Sequence, residues 1–288
     1  MLDERLIALI TEEVIRQLTQ SGRVVLPDRP LQPEAESPAP SGGNPVGTDR
    51  LLEDPLDPEA LEHMKKRTTA RIGVGKAGAR LKTQTMLALR ADHARAQDSV
   101  FADVDPAFIE RLGLLSIESQ AGDRNTHITR PDLGRKICPK GVEALRQHCE
   151  MSPDVQIYAS DGLSSAAIEA NLEKILPVLT EGLQAKGLKV GTPFYMRFGR
   201  VAAEDQVAEV LGAKVVCVLI GERPGLATAE SMSAYIVYNA YMGIPEAKRT
   251  VVSNIHKDGL SAVEAGAYIT EVIQQILDRK ASGVDLVK

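Results

Sequence analysis

The chain of 288 residues contains no tryptophan, and only 3% of its residues are aromatic. Proteins that bind single-stranded nucleic acid stack bases on exposed rings, so this class is not expected. The net charge of −5, with both signs well mixed, gives no general attraction to nucleic acid. No apolar run approaches the ~20 residues that a membrane-spanning helix needs. We therefore expect a soluble, intracellular protein that contacts neither nucleic acid nor membrane.

Cysteine is also scarce. Cys138, Cys149 and Cys217 form neither a CxxC pair nor a cluster with histidine, so no zinc site is predicted. An odd number of cysteines without a signal sequence fits a reducing cytoplasm. We interpret all three as small buried side chains, because free cysteine is usually buried.

Residues 1–22 have the pattern of an amphipathic helix, because their apolar residues recur at spacings of three and four. Residues 23–48 are rich in proline and glycine and predict a flexible linker. A helix held on such a linker favours docking on a partner. Folding back onto its own domain is the alternative. A membrane surface is disfavoured, because the polar face of the helix is acidic.

Residues 49–150 are predicted to form a smaller, mainly helical domain, with helices at 58–66, 106–112 and 139–149. Basic residues crowd positions 65–95, where nine lysines and arginines stand against the single acidic residue Asp92. They flank glycines and threonines instead of lining a regular helix. We interpret this stretch as an extended arm that contacts an acidic partner. A solvated surface is the alternative.

Residues 151–288 alternate strand and helix patterns. The predicted strands are 155–159, 189–198, 214–220, 235–238 and 250–254. The predicted helices are 164–186, 203–211 and 263–279. Such alternation predicts an α/β fold with a mostly parallel sheet and helices on both faces.

The motif Gly73-Gly75-Gly78 matches the dinucleotide fingerprint GxGxxG. The fingerprint has meaning only after a strand and at the start of a helix. The preceding stretch is short and polar, and the following stretch is basic. We interpret the match as false. An NAD-binding dehydrogenase built on this motif is an alternative that requires a strand before Gly73 and a helix from Gly78.

Polar loops follow the predicted strands, at the edge where α/β sheets bind ligands. Asp161 and Ser164 are candidate caps of the next helix. Glu222 and Arg223 lie in a loop that a proline shapes. His256 ends another strand, and we interpret it as a hydrogen-bonding loop residue rather than a base. These loops converge but carry few groups able to run a reaction. They predict a clamp for a large ligand, with no catalytic residue and no metal site in this chain.

Eight motifs follow one another in a fixed order. They are RIGVGKAGARLKTQT at Arg71, RADHARAQDSV at Arg90, TRPDLGRKIC at Thr129, SDGLSSAAI at Ser160, LKVGTPFYMRFGRV at Leu188, GERPGL at Gly221, SNIH at Ser253 and KASG at Lys280. Together they resemble, over residues 61–288, the small or light subunit of ethanolamine ammonia-lyase.

The resemblance implies an adenosylcobalamin enzyme in which a large subunit, a TIM barrel, holds ethanolamine. The small subunit would cover the other side of the corrin with a Rossmann-like domain. Homolysis of the cobalt–carbon bond starts a radical rearrangement to acetaldehyde and ammonia, and the protein positions the cofactor. The chain lacks the DxHxxG pattern that supplies a histidine to cobalt, so no cobalt ligand is expected from it.

Three cobalamin contacts are implied by the resemblance: Val201, Glu222 and Val251. Valine at position 251 is a departure, because cysteine is common there in the family. Valine replaces a packing contact but nothing that needs a thiol. The resemblance also implies that residues 1–22 target the enzyme to the shell or cargo of an ethanolamine-utilisation microcompartment in the bacterial cytoplasm. A non-catalytic scaffold or cargo adaptor is the alternative function.

Overall fold

The computed structural model describes residues 52, 54–68 and 70–286. The predicted targeting helix at residues 1–22 and the linker at 23–48 lie outside the described residues. The described part contains nine α-helices: α1 Pro58–Lys65, α2 Thr83–Phe101, α3 Pro106–Arg111, α4 Arg124–Thr129, α5 Pro131–Gly134, α6 Pro139–His148, α7 Ser165–Ala185, α8 Ala203–Leu211 and α9 Ala262–Arg279.

A hairpin and a larger sheet contain the strands. The strands are β1 Lys76–Ala77, β2 Arg80–Leu81, β3 Leu115–Glu118, β4 Val155–Ser160, β5 Phe194–Arg197, β6 Val215–Gly221, β7 Met232–Tyr238 and β8 Arg249–Ile255. One 3₁₀ turn, Glu246–Lys248, directly precedes β8, and a second, Gly283–Asp285, follows α9.

The six-stranded sheet has the order β3-β5-β4-β6-β7-β8. The first four strands are parallel, β7 is antiparallel to β6, and β8 is antiparallel to β7. β8 therefore runs in the same direction as β6. An α/β fold with a mostly parallel sheet is confirmed, and the finer description, a Rossmann-like domain, stays a prediction.

Helices cover both faces of the sheet, and the side chains of β6 are buried on both. Val215, Cys217 and Leu219 enter the core that α7 and α9 share. The alternate residues Val216, Val218 and Ile220 enter the core beneath α6 and α8. Successive side chains of a strand point to opposite faces, so a strand buried on both faces is a continuous apolar run.

Residues 49–150 are mainly helical, but they also supply β3, which pattern analysis missed. Leu115 pairs with Phe194, and β3 forms one edge of the sheet. The prediction that the sheet lies within residues 151–288 is therefore wrong in this respect. The sequence of β3, LSIE, is short, and only Ile117 is buried, so its signal is weak.

The basic stretch does not form one extended arm, so that prediction is wrong from residue 83 onward. Residues 83–101 form α2, whose buried face consists of Thr85, Ala88, Asp92 and Ala96. This face has helical spacing, but it is made of small and polar residues, so its hydrophobic periodicity is faint.

The glycine motif forms a hairpin. Lys76–Ala77 pairs antiparallel with Arg80–Leu81, and Gly78 lies between the strands with a φ of +65°. No strand precedes Gly73 in the described residues, and the next helix begins only at Thr83. The alternative of an NAD-binding dehydrogenase built on this motif is therefore wrong.

The cysteines are not all alike. Cys149 and Cys217 are buried, as predicted, and burial raises the pKa of both thiols. Cys138 is half-buried and caps α6, because its sulfur accepts from the N–H of Gly141 at 3.3 Å. The prediction that all three are buried is wrong for Cys138.

A buried ion cluster joins β8 to α8. Arg249 donates from Nε to Glu204 at 3.1 Å and from Nη2 to Asp205, and all three side chains are almost fully buried. Burial raises the pKa of Glu204 well above its usual range and also raises the pKa of Asp205. The guanidinium of Arg249 is therefore needed to hold these carboxyl groups in the core.

We predict that Arg249→Met lowers the free energy of unfolding by about 3–5 kcal/mol, because breaking a buried ion pair leaves an uncompensated charge. Urea unfolding followed by circular dichroism measures it. Lys214→Met is the matched control. It breaks an exposed pair with Asp154, which solvent screens, and should change the free energy of unfolding far less. Equal losses in the two variants would contradict the interpretation.

Candidate functional site

Five strands of the sheet end at one edge, which we call the carboxyl edge. β3, β5, β4, β6 and β8 run in the same direction, and β7 begins where they end. The loops after β4, β5, β6 and β8 therefore meet there. In open α/β sheets, ligands bind at this kind of edge.

Two glycines allow the loops after β4 and β6 to touch. A Cβ on Gly162 would lie 2.5 Å from the carbonyl oxygen of Gly221, and one on Gly221 would lie 2.2 Å from that of Ser164. Gly162 also has a φ of +51°. The N–H of Leu163 donates to the carbonyl of Gly221 at 3.1 Å. A side chain at either position would force the loops apart.

Asp161 is fully buried at the end of β4 and joins three segments. Its Oδ2 accepts from Arg124 Nη2 at 2.7 Å, and its Oδ1 accepts from the N–H of Phe198 at 2.7 Å. Burial raises the pKa of Asp161 to about 6, although the guanidinium of Arg124 opposes that rise. At neutral pH the carboxyl group is therefore ionised and paired.

Phe198 forms the turn after β5 with a φ of +60°, which is unusual for a large side chain. Its ring lies under two guanidinium groups, 4.9 Å from that of Arg124 and 4.5 Å from that of Arg197. Its carbonyl oxygen accepts from Ser119 Oγ at 2.7 Å. These contacts hold the strained turn in one conformation and so fix Arg200 and Val201, which follow it.

His127 lies beneath the same turn and is fully buried. Its Nδ1 lies 2.9 Å from the carbonyl oxygen of Phe198, and its Nε2 lies 2.7 Å from that of Gly162. Burial, aided by the positive charge of Arg200, lowers the pKa of His127 to about 4. A neutral imidazole carries one N–H, so it donates to only one of these two carbonyl oxygens, and because it is enclosed it is not accessible to a substrate.

Glu222 is half-buried and connects the ends of three strands. Its carboxylate accepts from Ser231 Oγ at 2.8 Å, from Ser233 Oγ, and from the N–H of Asn254 at 3.4 Å. The end of β6, the start of β7 and the end of β8 therefore share one carboxylate. These bonds fix its position, and within the described part of the chain Glu222 forms no salt bridge.

The residues predicted to contact a cofactor lie on one face of the sheet. Val201 packs against the core beneath α8. Every second side chain of β6 points to this face, and Glu222 follows Val218 and Ile220 in that alternation. Val251 pairs with Tyr235 across β7 and β8, and Tyr235 packs against the same core. Val251 is 45% exposed, so this face is open at its β8 side.

His256 is a loop residue, as predicted. Its Nδ1 accepts from the N–H of Asp258 at 3.2 Å, so its Nε2 carries the proton and donates to Asn254 Oδ1 at 2.8 Å.

Of the two candidate caps, Ser164 caps α7 by accepting from the N–H of Ala167 at 3.2 Å. Asp161 is not a cap, because Arg124 and Phe198 occupy its oxygens.

The described ranges contain no group of three or more histidine, cysteine, aspartate or glutamate side chains that could hold a metal ion. Within the same residues, no helix is both long enough and apolar enough to cross a membrane.

Sequence reasoning missed Arg124 and His127, the two residues that organise this edge. Arg124 reaches Asp161 across 37 positions of the chain, and His127 reaches Phe198 across 71. No local pattern records contacts of this separation. Neither residue lies in any of the eight motifs, since TRPDLGRKIC begins at Thr129.

These features define an α/β protein with a shaped sheet edge and an adjoining open face. The family model "Ethanolamine ammonia-lyase light chain (EutC)" matches residues 58–287. The chain belongs to this family, which confirms the resemblance inferred from the motifs.

Individual relatives agree. The chain is 55% identical to the ethanolamine ammonia-lyase small subunit of Clostridium perfringens over 82% of this chain and 80% of that protein. It is 49% identical to the protein of the same name from Clostridium tetani, over 99% of both chains. The small subunit from Fusobacterium nucleatum is 54% identical over 82% of this chain and 80% of the relative.

Proposed function

We propose that this chain is the small subunit of an adenosylcobalamin-dependent ethanolamine ammonia-lyase, which converts ethanolamine to acetaldehyde and ammonia with a large subunit. The observation that carries the proposal is membership of the light-chain family over residues 58–287. Relatives with about half of their residues identical carry the same enzyme name. The open face at the carboxyl edge adds a surface suited to a large, flat ligand.

The residues of this face fit a corrin. Val201 and Val251 offer apolar surface, and Val251 is 45% exposed. A carboxylate has about four acceptor sites, and Glu222 uses three of them within the chain. One site remains for an amide N–H of the corrin side chains. Glu222 would thus orient the cofactor without transferring a proton.

The bound cofactor would supply the radical chemistry through homolysis of its cobalt–carbon bond. This chain would contribute binding and orientation. Asp161 and Phe198 would hold the turn that carries Val201, and the hydroxyls of Ser231 and Ser233 would hold Glu222. A purely scaffolding or cargo-adaptor role is the alternative, and cofactor binding by the large–small complex separates the two.

We predict that Glu222→Gln raises the apparent dissociation constant for cobalamin in the large–small complex by roughly ten- to a hundredfold. The reason is that one charge-assisted hydrogen bond contributes about 1.5–3 kcal/mol. Assembly and turnover at saturating cofactor should be largely unchanged. Equilibrium binding followed by absorbance measures the constant.

Glu230→Gln is the matched control, because Glu230 lies between β6 and β7 and its carboxylate has only a distant contact, to Lys257. It should leave the constant unchanged. Cofactor binding by Glu222→Gln as tight as that of the parent would show that the loop is structural.

The isolated parent chain should have no deaminase activity, and turnover by it alone would contradict the proposal.

The large subunit is proposed to dock on the basic residues of 65–95. Arg71 is a poor probe of this surface, because it pairs with buried Asp92 and donates to the carbonyl of Leu226 at 3.1 Å. Arg80 lies exposed in the hairpin. We predict that Arg80→Glu weakens association with the large subunit, and more at low salt, where charges are least screened. Sedimentation at two salt concentrations measures it. Unchanged association at both would show that Arg80 only faces water.

Residues 1–22 are proposed to deliver the enzyme to the ethanolamine-utilisation microcompartment of the bacterial cytoplasm, by docking their apolar face on shell or cargo. The amphipathic pattern followed by a proline- and glycine-rich stretch supports this. A fusion of residues 1–22 to a fluorescent protein, in a host that makes the shell, should form puncta. Diffuse fluorescence beside a working control peptide would contradict it.

A further inference from the structure

Three arginines at the carboxyl edge have no carboxylate partner among the described residues: Arg135, Arg200 and Arg223. We call them the arginine cluster. The other arginines of this edge are paired, Arg124 with Asp161 and Asp103, and Arg197 with Asp103 and Glu118. The arginine cluster therefore carries three positive charges that the described part of the chain does not neutralise.

The fold brings these arginines together from three loops. Arg200 follows the Phe198 turn, and its stem packs on Gly134, where a Cβ would lie 2.7 Å from Arg200 Cγ. This contact places Arg135, the next residue after Gly134, beside Arg200. Arg223 lies in the loop after β6, which touches the loop after β4 through Gly162 and Gly221.

Arg200 has unused bonding capacity. Its Nη2 donates to the carbonyl oxygen of His127 at 2.7 Å, but its Nε is buried without a partner. Burial lowers the pKa of Arg200, the charges of Arg223, Arg135 and Arg124 lower it further, and the carboxylate of Asp161 opposes them. Guanidinium groups stay charged at neutral pH, so an added anion would relieve the repulsion that remains.

The acidic residues nearby are already engaged. Asp161 is fully buried and is held by Arg124 and the N–H of Phe198. Glu222 is held by two serine hydroxyls and the N–H of Asn254. The counter-ion must therefore come from outside the described part of the chain. Guanidinium forks suit phosphate and carboxylate oxygens, which they bind in pairs of hydrogen bonds.

We propose that the arginine cluster is an anion site that binds the phosphodiester of cobalamin, the group that links the corrin to its nucleotide base. The inference rests on the proposed function. Arg200 adjoins Val201 and Arg223 adjoins Glu222, so an anion at the cluster belongs to the same ligand as those two contacts. The phosphodiester is the one anionic group in the body of that ligand.

The test compares cobalamin with cobinamide, which has the same corrin but lacks the phosphodiester and the base. Both ligands are titrated, with the same upper ligand, into the large–small complex. Arg223→Met and Arg135→Met should each weaken cobalamin binding by about ten- to a hundredfold, the effect of one charge-assisted contact. Neither should change cobinamide binding. Both arginines are exposed, so neither change removes core packing.

Arg146→Met is the matched control, because Arg146 is an exposed arginine in the last turn of α6. It should change neither constant. Equal weakening of both ligands by Arg223→Met would overturn the phosphodiester assignment. Weaker assembly with the large subunit, with cobalamin binding unchanged in the assembled complex, would also overturn it by assigning the arginines to a partner carboxylate.

Glu222→Gln separates this inference from the proposed function. It should weaken both ligands alike, since its contact is with the corrin side chains. Unchanged binding by Glu222→Gln, with selective loss by Arg223→Met, would reject the role of Glu222 and retain the anion site. A complex that binds neither ligand would reject the proposed function and the anion site with it.

Discussion

The buried carboxylate of Asp161 holds the carboxyl edge together. It binds a guanidinium that arrives from α4 and a backbone N–H from the turn after β5, while its own backbone leads into α7. Because the group is fully enclosed, these bonds act at low dielectric and each is expensive to lose. The strained Phe198 turn, the position of Arg200 and the exposure of Val201 all depend on this one anchor.

A second constraint comes from the two antiparallel strands. After β6 the chain returns through β7 and only then forms β8, so the end of β8 rejoins the carboxyl edge without a helical crossover. No crossover helix therefore covers β7 and β8 on the α8 side, apart from the first turn of α8, which Arg249 ties to β8. The open face with Val251 is a consequence of this topology.

Sequence predicted the elements with strong periodicity and missed those with weak signals. The helix at 203–211 was predicted to the residue, because its apolar stripe ends at Gly212, which has a φ of +68°. α2 was missed because its buried face is threonine, alanine and aspartate. Val201, Glu222 and Val251 came from motifs. Arg124 and His127 escaped, since what defines them is contact across 37 and 71 residues of chain.

Two buried titratable groups at this edge, Asp161 and His127, have opposite proton linkages. Asp161, whose pKa rises from 3.8 to about 6, keeps its proton in the folded state after the unfolded chain has lost it. The contribution of Asp161 to the free energy of unfolding therefore falls as pH rises from 3.8 to about 6. His127, whose pKa falls from 6.5 to about 4, is neutral in the folded state while the unfolded chain still binds a proton. The contribution of His127 to the free energy of unfolding therefore grows as pH rises from about 4 to 6.5. Over the window that they share, the two contributions oppose each other, so together these two groups make the stability of the edge less sensitive to pH than either would alone.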